Sequence, residues 1–110
     1  MVTEGPAARL AELDAVVAAL AHPARRQILL TIRFRGGVLP AGDIAKRFAH
    51  AWPTTTRHLR VLEEARLITS ERQGRKRLYR LDLSKLSALD DYLAWLRTGR
   101  PPAKGKKADR

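Results

Sequence analysis

One stretch of the chain, WPTTTRHLRVLEEARL, residues 52–67, holds five side chains that could meet a ligand: Thr54, Thr56, Arg57, His58 and Arg60. An arginine fork can pair bidentately with a guanine edge, and a threonine can meet a phosphate or a thymine methyl group. A second group, Arg75, Lys76 and Arg77, surrounds Gly74 and offers cations suited to phosphates or a minor groove. For either group the alternative is a solvated charged surface, and His58 could instead simply hold Arg57 and the helix in place. Three threonines in a row make a poor helix interior, because β-branched side chains lose rotamer freedom against the preceding turn. Pro53 can open a helix there, yet neither Ala51 nor Trp52 carries a side-chain oxygen to cap it. The first-turn N–H groups are then open to an anion such as phosphate.

Other chemistries find little support. The chain has 110 residues and no cysteine, which excludes disulfides, thiolate metal sites and cysteine nucleophiles. Three histidines, His22, His50 and His58, are scattered, and none has a second ligand at zinc spacing. Asp90 and Asp91 are adjacent, so on a helix they point about 100° apart and do not chelate together. No nucleophile–base arrangement or phosphate-binding glycine loop can be assembled, so we expect no enzyme, no metal and no cofactor. Lysine and arginine number 22 against 11 acids, a net charge of +11 that favours a polyanionic partner. No apolar run is long enough to span a membrane and the N-terminus lacks a secretory pattern, so a cytoplasmic, nucleoid-associated protein without membrane contact is expected.

The elements that must position these side chains follow from periodicity. Leu10, Leu13, Val17 and Leu20 recur at steps of three, four and three, a helical stripe. A second helix opens at His22-Pro23, buries Ile28, Leu29 and Ile32, and stops at Gly36-Gly37. An extended piece at Val38-Leu39 leads to a short helix over 41–48, with Ile44 and Phe48 inward. Residues 53–65 then form the donor-bearing helix. Thr55, Leu59, Leu62 and Trp52 take its core side, Thr54, Arg57 and Val61 lie opposite, and His58 and Arg60 flank. The period next shifts from helical to alternating over LITSERQGRKRLYRLD, a two-strand hairpin turning at Gln73-Gly74. A last helix, capped by Ser84, carries Leu86, Leu89, Leu93 and Leu96 in another three-four-three stripe. The fold class is mostly α with a small β-hairpin: a winged helix-turn-helix in the order helix-helix-helix-helix-wing-helix. We divide the chain into a flexible N-terminus (1–6), this domain (7–98) and a basic disordered tail (99–110).

Over residues 10–97 the chain resembles the ArsR-type winged-helix transcriptional repressors. LAHPARRQILL is similar to that family's L-x-x-P-x-R-x-x-I-L stretch, and DIAKRF to its E-L-A segment. TRHLRVLEEARLI resembles its S-x-H-L-x-x-L-x-x-A-G-L-[IV] signature, and RQGRKRLYRL the wing's G-R-x-x-x-Y. The resemblance implies a homodimer joined through the first and last helices, here Leu10, Leu13, Val17, Leu86, Leu89, Leu93 and Leu96. From the residues alone, those stripes could equally pack on their own domain. Two departures stand out. Pro40 and Gly42 occupy the positions of the family's metal-sensing Cys-x-Cys pair, so neither metal nor thiol sensing is expected and the effector is unknown. Arg66 stands where the family has a glycine, at a cost on the order of 1 kcal/mol if its backbone is left-handed. Arg25 and Arg26 are assigned mainly to helix packing, with phosphate contact as the lesser alternative.

The function expected is that of a homodimeric repressor bound to a palindromic double-stranded DNA operator. Lys104, Lys106 and Lys107 would add salt-sensitive affinity without reading sequence. An RNA- or ribosome-associated basic module is the alternative. It explains the charge but not the hairpin and motif order, and only Tyr79 lies on the hairpin as a stacking aromatic. An interaction adaptor that has kept the fold without DNA binding is a third.

Overall fold

The computed structural model describes residues 6–48 and 52–100. Five α-helices and a three-stranded antiparallel sheet follow in the order α1 (Pro6–Leu20), α2 (Pro23–Phe34), β1 (Val38–Pro40), α3 (Ala41–Ala45), α4 (Trp52–Glu64), β2 (Ile68–Gln73), β3 (Lys76–Leu81), a 3₁₀ turn (Leu83–Lys85) and α5 (Leu86–Thr98). His50, most of the expected flexible N-terminus and the tail lysines lie outside the described residues.

Short-range chemistry sets the helix ends. His22 caps α2, its Nδ1 accepting the Ala24 N–H at 3.1 Å, and Pro23 follows in the first turn, where no N–H is needed. At the other end, the Gly37 N–H reaches back to the Ile32 carbonyl (2.8 Å) and the Gly36 N–H to that of Arg33 (3.2 Å), a Schellman closure. The end of α4 repeats this pattern. Leu67 donates to Leu62 and Arg66 to Glu63, both at 3.0 Å, but the left-handed residue is Arg66, at φ 65°. Arg66 thus adopts the left-handed conformation that glycine usually supplies at such a helix end.

The core joins Val16 and Ala19 of α1, Ile28 and Ile32 of α2, Ile44 of α3, Leu59 and Leu62 of α4, and Ile68 and Tyr79 of the sheet. Each large aliphatic residue so buried stabilises the fold by about 1.5–3 kcal/mol. Thr55 is buried among them, on the core side of α4 as its position requires.

Several local expectations are corrected. Val38-Leu39 is more than an extended link: β1 pairs with β3, Leu39 opposite Tyr79, making β3 the central strand in the order β1-β3-β2. The short helix is confined to Ala41–Ala45. Ser84 does not cap the last helix, whose N-cap position is Lys85 with no side-chain hydrogen bond; Asp82 instead caps the 3₁₀ turn ahead of it, its carboxylate accepting from the Ser84 N–H (3.1 Å) and hydroxyl (2.8 Å). Those bonds hold the Asp82 carboxyl below its usual pKa range. Trp52 is exposed rather than packed with Leu59, and Val61 is half-buried against the core rather than facing away from it.

α5 lies along α1; the ion pair Arg9–Asp91 bridges them, and Lys85–Glu12 (3.1 Å) ties the 3₁₀ turn ahead of α5 to α1. Ala88 is buried, whereas Tyr92, Leu93 and Leu96 are exposed, as are Leu10 and Val17 on α1. Leu86 and Leu89 are half-buried against the domain's own core. Leu13, expected beside Leu10 and Val17 on an interface, is instead buried within its own chain, which leaves it almost no surface for a partner.

Candidate nucleic-acid interface

Helical geometry sorts the candidates on α4. At about 100° per residue, Thr55, His58, Leu59 and Leu62 share the buried side, while Pro53, Arg57, Arg60 and Glu64 share the outward side. Arg57 and Arg60 are therefore neighbours at the centre of the exposed face, one turn apart. Thr54 and Thr56 are half-buried and flank that face on its two sides. The Thr56 hydroxyl is turned inward and has no hydrogen-bond partner among the described residues, so in this conformation it is not offered to a ligand.

His58 corrects the sequence expectation most plainly. Only 6% of its surface is exposed, so it lies on the core side of α4 rather than on a flank open to DNA. Its ring centroid is 4.4 Å from that of His22, and its Nδ1 lies 3.4 Å from Arg25 Nη1. Arg25 in turn donates to the Ala19 carbonyl from Nε (2.7 Å) and to the Ala18 carbonyl from Nη2 (3.2 Å), closing the end of α1. Arg26 donates to the Leu20 carbonyl at 2.8 Å. Both arginines thus make contacts within the chain, and His58 ties α4 to the α1–α2 junction. Proximity in space brings these three residues together, and no spacing in the sequence announces it.

The wing is built by a two-residue turn, Gly74-Arg75, with Gly74 at φ 61°. Arg75, Lys76 and Arg77 are all exposed. Alternation places Lys76 and Arg77 on opposite faces of the sheet. Arg77 shares its face with Tyr79, and its Nη1 donates to the Ser70 hydroxyl at 3.0 Å. Ser70 donates onward to Glu63 Oε2 on α4 at 2.6 Å. Burial, and next the Glu63 carboxylate, raise the Tyr79 pKa above its ordinary value, while Arg77 offsets part of the rise. Sequence reasoning missed both Ser70 and Glu63, whose roles depend on which strand faces which helix.

Between the wing and α3 runs an open cleft of about 290 Å³, lined by Pro40–Asp43, Lys46 and Arg75–Arg77. Four cations face one acid there, and that acid, Asp43, is 3.8 Å from Lys46. Cationic residues thus line both the outward face of α4 and the wing. Ala51, the position before α4, lies outside the described residues. No group of three or more potential metal ligands occurs among the described residues, and no described helix is long and apolar enough to cross a membrane.

A short helix, a longer donor-bearing helix and a basic hairpin define a winged helix-turn-helix DNA-binding protein. Comparison with known proteins specifies the class. Residues 20–71 match the helix-turn-helix domain family. The chain is 33% identical over 84 residues to the transcriptional repressor SdpR of Bacillus subtilis (strain 168), covering 76% of this chain and 88% of that protein. The crystal structure of an ArsR family transcriptional regulator superposes with a TM-score of 0.73 at 28% identity, over 87% of this chain and 93% of that one. The solution structure of a homodimeric winged helix-turn-helix DNA-binding domain from Mycobacterium bovis, a possible ArsR-family regulator, gives 0.65 at 25% identity, over 94% and 100%. The chain belongs to the ArsR family of winged helix-turn-helix transcriptional regulators. It is a DNA-binding regulator and not an enzyme.

Proposed function

We propose that the protein is a homodimeric repressor that covers a roughly palindromic operator, with α4 reading bases and the wing holding backbone or minor groove. The observation that carries this reading is the outward pairing of Arg57 and Arg60 on α4, one helical turn apart and unobstructed. Arginine forks in that position suit guanine edges in a major groove. Thr54 reinforces the contact from the flank, and Arg75, Lys76 and Arg77 neutralise phosphate. Exposed Leu10, Val17, Leu93 and Leu96 on the paired helices α1 and α5 supply an apolar face for a second copy. The homodimeric state of the Mycobacterium bovis relative supports the same arrangement. Two α4 helices related by a two-fold axis would then enter successive major grooves, roughly 34 Å apart.

Binding selection on random duplex DNA at controlled salt tests the reading. A two-fold symmetric motif is expected, and Arg57→Ala should abolish preference for it. Removing residues 101–110 of the basic tail should weaken all duplexes alike and flatten the salt dependence. Recovery of no symmetric motif, with equal affinity for RNA, would refute it. Sedimentation of a Leu93→Glu/Leu96→Glu variant tests the interface: it should be monomeric where the wild type is a dimer.

A further inference from the structure

We propose that Glu63 and Ser70 are positioning residues for the wing, holding Arg77 in fixed relation to α4 so that helix and wing meet one duplex as a unit. The inference rests on the DNA-reading role of α4 given above. Its basis is the chain of contacts from Arg77 Nη1 to Ser70 Oγ (3.0 Å) and from Ser70 Oγ to Glu63 Oε2 (2.6 Å).

Chemistry allows this chain only one polarity. A guanidinium can only donate and an ionised carboxylate can only accept. The serine hydroxyl, with one hydrogen and two lone pairs, must give its hydrogen to Glu63 and receive from Arg77. Each end is charged, so both bonds are charge-assisted and polarise one another. Ser70 sits opposite the buried Tyr79 in the strand register, and both Ser70 and Glu63 are half-buried. The relay is therefore anchored where the hairpin leaves the core, not at its free tip.

The consequence is a wing whose approach to DNA is set before binding. Arg77 uses one of its five N–H donors on Ser70 and retains the others for phosphate. A hairpin pinned to the reading helix loses less freedom on docking than one that swings, which favours affinity through pre-organisation. Glu63, on a surface selected for a polyanion, otherwise works against binding. Its place in the relay accounts for an acid there.

The test is a double-mutant cycle measured on two probes: the duplex recovered by selection with the wild-type protein, and a random-sequence duplex pool. Ser70→Ala should weaken binding to the selected duplex about tenfold, the scale of one lost charge-assisted contact. Ser70→Thr keeps the hydroxyl on a strand that suits β-branched residues and should stay within about twofold of wild type. In an Arg77→Ala background, Ser70→Ala should add no further loss, because its effect passes through Arg77. A purely structural role would weaken both backgrounds equally, and urea midpoints taken alongside separate unfolding from lost positioning. Additive losses, a Ser70→Ala protein that binds like wild type, or an Arg77→Ala protein that does so, would each overturn the proposal. Arg57→Ala serves as the independent check: retained motif preference in that variant refutes the reading role of α4, whatever the cycle shows.

Discussion

Arg25 shows how much of this small domain depends on one side chain that joins three helices. Truncating it to alanine removes donors from the carbonyls of Ala18 and Ala19 and takes away a contact to the buried His58. Hydrogen bonds from a charged donor contribute about 1.5–3 kcal/mol each. The two carbonyls end a helix that water can partly reach, and the contact to His58 is long, so the sum is discounted to about 2 kcal/mol. For a domain of this size that corresponds to a fall in Tm of roughly 8–16 °C. Arg26→Ala removes a single exposed bond to the Leu20 carbonyl and should cost less than about 1 kcal/mol. Urea denaturation of both variants at one fixed protein concentration makes the comparison, since the apparent stability of a self-associating protein varies with concentration. DNA affinity at several salt concentrations adds a second readout. Arg25→Ala should leave the salt slope unchanged, whereas loss of a phosphate contact would reduce it by about one. Equal destabilisation by the two variants, or a lowered slope for Arg25→Ala, would refute the assignment of Arg25 to the α1–α2–α4 junction.

Two further outcomes follow from the backbone and from the core. Arg66→Gly relieves a left-handed conformation costing about 1–2 kcal/mol and adds unfolded-state entropy worth about 0.4–1 kcal/mol, so a small net stabilisation is expected; a lower urea midpoint would show that the arginine side chain contributes more than its backbone costs. Because the folded-state pKa of Tyr79 is raised, the stability linked to its neutral phenol is complete below the unfolded value near 10 and is lost as pH rises through the folded one. Tyr79→Phe should therefore show a flatter alkaline limb in a plot of urea midpoint against pH, and an unchanged limb would refute the link.

Periodicity made most of the architecture legible. The three-four-three stripes, Pro23 and the double glycine at 36–37 mark α1, α2 and α5, and the shift to alternation marks the wing. What escaped depends on contacts far apart in the chain. Val38-Leu39 is too short to declare itself a strand until Tyr79, forty residues on, pairs with Leu39. Asp82 and Ser84 are both good caps, yet the one that is used serves a 3₁₀ turn, which periodicity does not separate from the helix behind it. On α4, Arg57 and Arg60 could be anticipated, because charged residues rarely turn inward. His58 could not, since a histidine suits either side and its burial follows from the rings and guanidinium that converge on it. The relay was hidden for the same reason: a serine on a strand and a glutamate on a helix carry no mark of being partners.

The strand order has a consequence for how crowded copies of the protein behave. With β3 in the centre, the sheet has two edges, and an open edge is a template on which another chain's strand can add. One edge, β1, is only three residues long and ends at Pro40, which has no N–H to donate. The other, β2, bears Glu71 and Arg72, whose charges would have to be stripped of water for a second β2 to dock. Copies of the protein crowded together, as on adjacent DNA sites, can thus pack closely without their wings knitting into a common sheet.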